Sequence, residues 1–595
     1  MCVYHGVYAT SFDIASVTHP VGPASFANGY AIASGSNISN AFIDVQDNAY
    51  ATVVYPLFQN QNSFTNIKIQ IGTQVAGAGS LLSAGPTLAI SRVNIVSKNG
   101  SQITVNATFK LSILAQNTTS VVISDLLLNL SFSTATQGNI SLIESATGVF
   151  NVTGFQVLGA YQSQGCVALG ANTANTSAVF MNNISFAPSA FNVGNQSSYL
   201  FSYSNSSIIN LNAFSMFSGS AQVSQLTNIS SNSSNSYQFG GLISELNSSY
   251  FLVTNLNLFF NVSIQTQFSQ FGVLIGRSAL IGNYIELKAL CINYNLQTTT
   301  TTMNNTMNYF GIIGYFEGVL HVLNSNILLT LINNSLYNNL GAVGIVSSSL
   351  CKNLYFYSLK VNVNINQNTG SYVGALIGFN QYPNCTILNS SVQNTNMNAS
   401  SYSGGFMGYS LSSNVFISHC SIFNSSILAV GSYSGGFIGY AHLNITIQNS
   451  SVQNSNFSKK SYQAGFVGCL RAGSILLISI GQVFNSNIRG TDFSGAFVGC
   501  TDSGSYVTIS DGLIFNNSII ATTQIAGGFI GAAYSTYNVR IVISKLIQTT
   551  ITTPLYYSMT IGYVTASTVI ITTSVSEGDN FINGVKQQNC LNYVC

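Results

Sequence analysis

The chain has 595 residues, of which only 5% are charged, 46% are hydrophobic and none is Trp. A typical soluble domain carries about 25% charged residues, and a disordered chain would be poor in the Ile, Val, Phe and Tyr that are abundant here. The net charge of +2, with Lys and Arg scattered along the chain, excludes a nucleic-acid-binding surface, which needs clustered basic residues.

No uninterrupted apolar run approaches the roughly 18–20 residues that a membrane helix needs. One of the most apolar stretches includes Ile475–Ile480 and is too short, so we expect no membrane span in this chain. The segment from Met1 to His5 lacks the basic and apolar regions of a signal peptide. Either a signal has been removed or the sequence covers part of a longer chain.

Residues 1–65 fall outside the clear repeat described below and contain three of the seven prolines, Pro20, Pro23 and Pro56. We expect an N-terminal cap or a small β segment here, because repeat proteins protect the exposed edges of their terminal strands.

Residues 66–575 carry a repeat of about 31 residues. The clearest copies are Gly-rich anchors that end at Gly408, Gly439, Gly468, Gly499 and Gly531, which step by 31, 29, 31 and 32 residues. Further anchors are assigned at Gly378, Gly344, Gly314, Gly276 and Gly562, and weaker ones back to Ser83. Short alternating segments of β-branched and aromatic residues lie between anchors, and no long amphipathic helix is indicated.

The fold predicted is all-β, a parallel β-helix (β-solenoid) of about 16 coils, with equivalent residues stacked about 4.8 Å apart. A right-handed coil is expected from the twist of the chain. Two further columns keep the period, one aromatic and one of asparagines that suits left-handed turns. They are Tyr372, Tyr402, Tyr433, Tyr462 and Phe493, and Asn394, Asn424, Asn454, Asn485 and Asn516.

The segment from Gly435-Gly436-Phe437-Ile438-Gly439-Tyr440 to Ile447-Gln448-Asn449-Ser450-Ser451-Val452 resembles the GLUG repeat, with Phe at the usual Leu position. The resemblance is clear over Tyr372–Gly562 and faint elsewhere. GLUG repeats occur in bacterial surface proteins, some proteases and large surface proteins of flagellate protists. The resemblance implies a parallel β-helix with an adhesive or scaffold role, and the many sequons favour the protist proteins.

The ten cysteines predict disulfides between adjacent coils. Cys469 and Cys500 each follow an anchor glycine, and Cys351 and Cys385 each lie seven residues past one, so each pair is expected to stack within disulfide range. Cys590 and Cys595 would close a C-terminal loop. Four cysteines have no assigned partner: Cys2, Cys166, Cys291 and Cys420. The alternative is that these thiols fill apolar columns.

About 25 Asn-x-Ser/Thr triplets occur, a modest excess over chance in so Asn-rich a chain. With few charges, glycans would supply solubility. The sites singled out are Asn37, Asn106, Asn117, Asn151, Asn261, Asn398, Asn424 and Asn444. These residues and the cysteines indicate an extracellular or cell-surface location.

Catalysis is the rival interpretation, because many parallel β-helices cleave polysaccharides. Asp492, Asp502 and Asp511 are the best acidic candidates, with Arg471 and Arg489 nearby. Paired carboxylates at a set separation are not indicated, so we expect no enzyme. No Cys-x-x-Cys occurs and His is scarce, which argues against a metal site, and no cofactor is expected. The adjacent His419 and Cys420 are interpreted as an inert turn pair.

Tyr402, Tyr433 and Tyr462 are a possible ligand face, on which sugars could stack, although packing at a corner under the next turn is the favoured interpretation. Residues 576–595 leave the pattern and are expected to form a Cys-containing cap or linker. The leading hypothesis is a structural glycoprotein that binds itself head to tail. The alternative is an adhesin that binds a glycan or another cell-surface ligand, and a polysaccharide lyase or hydrolase comes third.

Overall fold

The computed structural model describes most of the chain as strands. The described residues are 12–13, 18–21, 37–45, 58–71, 74–75, 82–105, 118–132, 140–143, 146–162, 167–171, 173–174, 176–193, 201–205, 208–223, 238–240, 242–247, 250–264, 270–278, 283–298, 309–333, 340–349, 353–365, 370–381, 384–411, 414–459, 461–565, 568–572 and 575–587. Two compact units are formed, residues 1–300 and 301–595.

The first unit contains strands β1 to β21 and one 3-10 turn, Lys98–Gly100. In chain order the strands are Phe12–Asp13, Thr18–Val21, Asn37–Val45, Phe58–Ile71, Gln74–Val75, Leu82–Ser97, Thr104–Val105, Thr118–Asn129, Ile140–Ile143, Ala146–Gln162, Val167–Ala171, Thr173–Ala174, Thr176–Val193, Phe201–Asn205, Ile208–Val223, Gln238–Gly240, Ile243–Leu246, Tyr250–Ile264, Gln270–Ser278, Tyr284–Lys288 and Cys291–Thr298.

The second unit contains strands β22 to β58. In chain order they are Tyr309–Phe316, Val319–Asn333, Leu340–Ser349, Asn353–Ile365, Gly370–Gly374, Ile377–Asn380, Asn384–Leu388, Ser391–Gln393, Asn396–Gly404, Met407–Ser410, Asn414–Ser418, Ser421–Phe423, Ser426–Ala429, Tyr433–Gly435, Ile438–Ala441, Asn444–Gln453, Asn456–Lys459, Tyr462–Ala464, Val467–Leu470, Ile475–Phe484, Asn487–Gly490, Phe493–Gly495, Val498–Thr501, Tyr506–Ser510, Leu513–Phe515, Ser518–Ala521, Ile525–Gly527, Ile530–Ala533, Asn538–Val542, Lys545–Ile547, Thr550–Thr552, Tyr556–Ser558, Ile561–Val564, Thr568–Thr572, Val575–Glu577, Asn580–Ile582 and Val585–Gln587.

Each strand pairs in parallel with its counterpart one coil away, which confirms the predicted parallel β-solenoid. In the second unit one register column steps by 30 to 34 residues: Val322, Phe356, Ile387, Ile417, Ile447, Ile478, Ile509, Ile541 and Ile571. In the first unit the corresponding steps range from 26 to 42: Phe12, Ile38, Phe64, Ile90, Ile123, Val152, Met181, Leu211, Val253 and Leu287. The varying loop lengths explain why the repeat is faint there.

The parallel ladder extends into the segment for which the sequence predicts an N-terminal cap. β1 pairs with β3, and β3 pairs with β4, in the register of the later coils. At the other end, β57 continues the parallel ladder and β58 turns back antiparallel to it. The turn uses Asn583 and Gly584, both at positive φ, the geometry of a tight hairpin.

Columns of identical apolar residues fill the interior. The anchor phenylalanines are buried and stack in sequence with ring centroids 4.8 to 5.7 Å apart: Phe406, Phe437, Phe466, Phe497 and Phe529. Aromatic pairs at this separation add to the free energy gained by burying their area. Ile and Val columns complete the core.

The anchor glycines are required by close approach of neighbouring coils. A Cβ on Gly436 would lie 1.8 Å from the carbonyl oxygen of Gly465, and the Gly405 amide donates to the Gly436 carbonyl at 2.6 Å. Gly405 and Gly436 do not have positive φ. Their role is therefore to let the backbones of neighbouring coils touch.

The predicted asparagine column lies at left-handed turns, as expected. Asn394, Asn424, Asn454, Asn485 and Asn516 have φ between 46° and 52°. The Nδ2 of Asn424 donates to Oδ1 of Asn394 at 2.8 Å, and Asn516 donates to Asn485 at 2.9 Å. A residue with a buried hydroxyl follows several of these turns. The hydroxyl accepts a hydrogen bond from a backbone N–H that the turn leaves without a strand partner. For example, the Ser425 N–H donates to Ser455 Oγ at 3.3 Å.

The phenylalanine stack gives a testable pair of substitutions within one coil. Phe437→Ala should lower the free energy of unfolding by about 3–5 kcal/mol, because the ring is fully buried and its loss leaves a cavity. Phe423→Ala is the control, since that side chain is 40% exposed and its loss should change stability by no more than about 0.5 kcal/mol. Equal denaturation midpoints for the two variants would contradict the stacked core.

Candidate functional site: a tyrosine cleft in the second unit

The outer surface of the second unit folds into a cleft lined by tyrosines. In one coil, β35 (Tyr433–Gly435) and β36 (Ile438–Ala441) are joined by Gly436 and Phe437, and every residue from Ser434 to Gly439 is buried. Tyr433 and Tyr440 lie half-buried on the outer side with ring centroids 4.8 Å apart. Because outward-facing rings on two successive strands touch, the chain bends inward at this corner.

We call the cleft the tyrosine cleft and define it by two columns. The first wall is Tyr372, Tyr402, Tyr433 and Tyr462, stacked with centroids 4.7 to 5.3 Å apart and ring planes within 11° of parallel. The second wall is Phe379, Tyr409 and Tyr440, stacked at 5.5 and 5.3 Å. Edge-to-face contacts join the walls, such as Tyr402 to Tyr409 at 5.0 Å.

The predicted ligand residues Tyr402, Tyr433 and Tyr462 therefore do lie in one continuous row. Their ring faces, however, pack against one another along the coil axis. A sugar stacks on a free ring face, so this row offers chiefly ring edges and hydroxyl groups to a ligand. Hydrogen bonding by the hydroxyls is the interaction that the geometry favours.

The second wall changes from aromatic rings to a disulfide. Tyr440 is followed in register by Cys469 and Cys500, which are bonded with Cα atoms 4.6 Å apart and are almost completely buried. The predicted Cys469–Cys500 bridge is confirmed. It joins two adjacent coils in the column of the second wall.

A row of polar residues borders the second wall, one residue past the end of each strand. It comprises His442, Arg471, Asp502 and Tyr534. Burial raises the pKa of Asp502, and the positive charge of Arg471 opposes that rise. Burial and the charge of Arg471 both lower the pKa of His442.

The tyrosine hydroxyls are harder to ionise than free phenols. Burial raises the pKa of Tyr433 to about 12, and the neighbouring tyrosines and the Asp502 carboxylate add to the effect. Burial, followed by the charge of Asp502, also raises the pKa of Tyr440 above its usual range. At neutral pH the cleft therefore presents neutral phenols that donate or accept hydrogen bonds.

The predicted Cys351–Cys385 bridge is wrong as judged from Cys385, whose thiol is free; Cys351 lies outside the described residues. Cys385 stacks between Leu354 and Val415. The register aligns Val343 with Val373 and Val346 with Ile377. Ser347 is thus the true counterpart of Gly378, and counting from Gly344 misplaced Cys351 by three residues.

The remaining cysteines are free or undescribed. Cys420 is a buried free thiol whose pKa burial raises to about 12, and Cys291 is exposed and free. A thiol that stays protonated is a poor nucleophile, which supports a packing role for Cys420. Cys2, Cys166, Cys590 and Cys595 lie outside the described residues.

The acidic candidates do not meet at one point. Asp492 accepts hydrogen bonds from Thr523 Oγ1 at 3.0 Å and Gln524 Nε2 at 3.3 Å, so it ties two coils together. Asp511 lies on an exposed left-handed turn, as does His419, whose Nδ1 is 2.9 Å from Ser418 Oγ. Asp502 borders the tyrosine cleft. Burial raises the pKa of Tyr462 in the first wall, and Asp492 is close enough for its charge to add to that rise.

Several of the predicted sequons face solvent. Asn151, Asn424 and Asn444 are exposed, and Asn398 is half-buried in β30. Asn37 and Asn261 lie in strands β3 and β18, and Asn106 and Asn117 lie outside the described residues. The Nδ2 of Asn424, to which a glycan would attach, donates to Asn394, and an amide with a glycan attached would keep one N–H for this bond.

Sequence analysis missed the second wall and its polar border. The available signal was that Phe379, Tyr409 and Tyr440 directly follow anchor glycines, as Cys469 and Cys500 do. The convergence of the two walls depends on the inward bend of the corner, which residue spacing alone does not specify.

The fold defines a β-solenoid. No family model matches the chain, and neither the characterised proteins nor the solved structures include a significant match to it. Within the described residues, no helix is long and apolar enough to cross a membrane. The described part of the chain also contains no group of three or more His, Cys, Asp or Glu side chains placed to hold a metal ion.

The disulfide should account for a large share of the local stability. Its 31-residue separation corresponds to about 3–4 kcal/mol of chain entropy removed from the unfolded state. Replacing Cys469 and Cys500 together by Ala should lower the denaturation midpoint accordingly. Reductant should destabilise the wild type and leave the double variant unchanged, and a wild type insensitive to reductant would contradict the bridge.

Alkaline titration tests the buried phenols. The pKa of Tyr433 is raised from 10.0 to about 12, so its protonated form is favoured by folding. That stabilisation is complete below pH 10 and is lost as the pH rises through 12. Subtracting the tyrosinate absorbance of a Tyr433→Phe variant from the wild type should isolate a transition near pH 12, and a difference centred near pH 10 would contradict the buried row.

Proposed function

We propose that the chain is an extracellular or cell-surface structural glycoprotein in which the β-solenoid acts as a rigid scaffold. The observation that carries the proposal is the Cys469–Cys500 bridge between adjacent coils. Structural disulfides persist in oxidising compartments and are rare in the cytosol. The exposed sequons Asn151, Asn424 and Asn444 and the 5% charge content agree with a chain made soluble by glycans.

The resemblance to GLUG repeats supports the same proposal, because those repeats occur in large surface proteins of flagellate protists. Head-to-tail assembly is part of the proposal. Parallel coils repeat the same backbone contacts at each step, and an open strand edge accepts a further coil from a second copy. A surface filament would therefore need no contact type beyond those already inside the chain.

An adhesin that binds a glycan is the second candidate. The tyrosine cleft favours it, since neutral hydroxyls line its first wall and Arg471 and Asp502 border it. Because the ring faces are covered by neighbouring tyrosines, a sugar cannot readily stack on them. The adhesin is therefore less favoured than the scaffold role. A polysaccharide-cleaving enzyme comes third, because Asp492 is engaged by Thr523 and Gln524 and Asp511 lies on an exposed turn.

Electron microscopy of native material, together with mass measurement before and after enzymatic deglycosylation, tests the proposal. Filaments with an axial repeat and a large loss of mass on deglycosylation are the expected results. Isolated short rods would overturn the assembly, and unchanged mass would overturn the glycoprotein. Binding of the isolated rod to a glycan array, lost on Tyr433→Phe and Tyr440→Phe substitution, would favour the adhesin.

A further inference from the structure

A depression on the surface of the first unit adjoins the sequon at Asn183. Its volume is about 350 Å³, and it is lined by Asn94, Asp125, Leu126, Leu127, Gly154, Gln156, Asn183 and Ser185. This volume lies at the lower end of pockets that hold small molecules. Asn183, Ile184 and Ser185 form an Asn-x-Ser triplet, and Asn183 is exposed.

The depression exists because one residue in a column lacks a side chain. Asp125, Gly154 and Asn183 occupy equivalent positions in three successive coils, all at positive φ of 56°, 69° and 56°. Two earlier members of this column bond to each other, since Asn66 Nδ2 donates to Asn40 Oδ1 at 2.7 Å. Gly154 interrupts that ladder and leaves a notch.

The groups around the notch are not engaged with other described residues. The structure shows no hydrogen bond from the side chains of Asp125, Gln156 or Asn183 within the described part of the chain. A Cβ at Gly154 would lie 2.7 Å from Asp125 Oδ1, so the carboxylate extends over the glycine. Asp125 and Asn183 are two coils apart, roughly 10 Å, which leaves room for one six-membered ring and its hydrogen bonds.

We propose that Asn183 is N-glycosylated and that the notch over Gly154 holds the first sugar of its glycan. The glycan joins through Nδ2 of Asn183 at the edge of the notch. The sugar hydroxyl and acetamide groups then meet the Asp125 carboxylate and the Gln156 amide, and half-buried Leu127 faces the C–H groups of the ring. This assignment rests on the proposed glycoprotein function and adds a glycan that is fixed against the solenoid.

Asn424 provides the matched site within the same chain. It is also an exposed sequon at a left-handed turn, with φ of 49°. Its column has no gap, because Asn394 and Asn454 have side chains on both sides and Asn394 accepts a hydrogen bond from Asn424. A glycan on Asn424 therefore has no notch to occupy and should extend into solvent.

The test is the rate at which a peptide N-glycosidase releases each glycan from the native, fully glycosylated chain, followed by peptide mass spectrometry. Release from Asn183 should be about tenfold slower than from Asn424, since two ordinary hydrogen bonds correspond to that factor. In Gly154→Asn the two rates should become equal. Asn tolerates this backbone, and the Asp125 side chain that it meets is exposed and free to move.

Ala289→Asn is the control variant, because it adds the same side chain at a left-handed position of the same column in a different coil. It should leave the slow release from Asn183 unchanged. Equal rates in the wild type, an unaltered slow rate in Gly154→Asn, or an unoccupied Asn183 beside an occupied Asn424 would each overturn the notch assignment alone. Absence of glycan from every sequon would overturn the proposed glycoprotein as well.

Discussion

Within the described part of the chain, the residues of the inner coils are packed between their own equivalents in the coils before and after them. Parallel pairing places those equivalents about 4.8 Å apart, so a side chain must suit contact with a copy of itself or a close relative. Phe stacks on Phe in the core, Tyr on Tyr in the cleft, and Asn bonds to Asn at the turns. This self-contact limits which residues each column accepts.

The low charge of the chain follows from the same constraint. A column of identical charges would place like charges at coil spacing, which is destabilising. Some of the charged residues that do occur have an opposite charge in the neighbouring coil, as Glu245 is in register with Arg277 and Lys545 bonds to Glu577 at 3.3 Å. The 5% charge content is thus in keeping with the fold.

The stacking of equivalent residues in neighbouring coils also decides which features could be predicted from the sequence. Where the coils have nearly constant length, columns can be counted, so the Asn column and the Cys469–Cys500 bridge were placed correctly. Gly344 is in register with Gly374, so equating it with Gly378, whose counterpart is Ser347, misaligned Cys351 with Cys385 by three residues. In the first unit the steps vary from 26 to 42 residues, and counting fails.

Other features lie beyond any column pattern. Ile480 and Ile543 adopt positive φ, which β-branched residues rarely do, because the neighbouring coils impose the turn on them. Their position follows from the ladder and contradicts local preference. Likewise, the tyrosine cleft depends on the angle at which the chain bends at a corner. The notch at Gly154 depends on the side chains in the two neighbouring coils, because glycine itself has none.

A fold that excludes charge must obtain hydration in another way, and its turns are where this is possible. The left-handed asparagines of the regular coils face solvent. In Asn424-Ser425 the Asn adopts the turn conformation, and the Ser supplies the buried hydroxyl that bonds to the backbone. When a further Ser follows, as Ser426 does here, the turn also becomes a glycosylation sequon. The residues that stabilise the coil therefore also create its sites for glycans, which links the architecture to the proposed surface role.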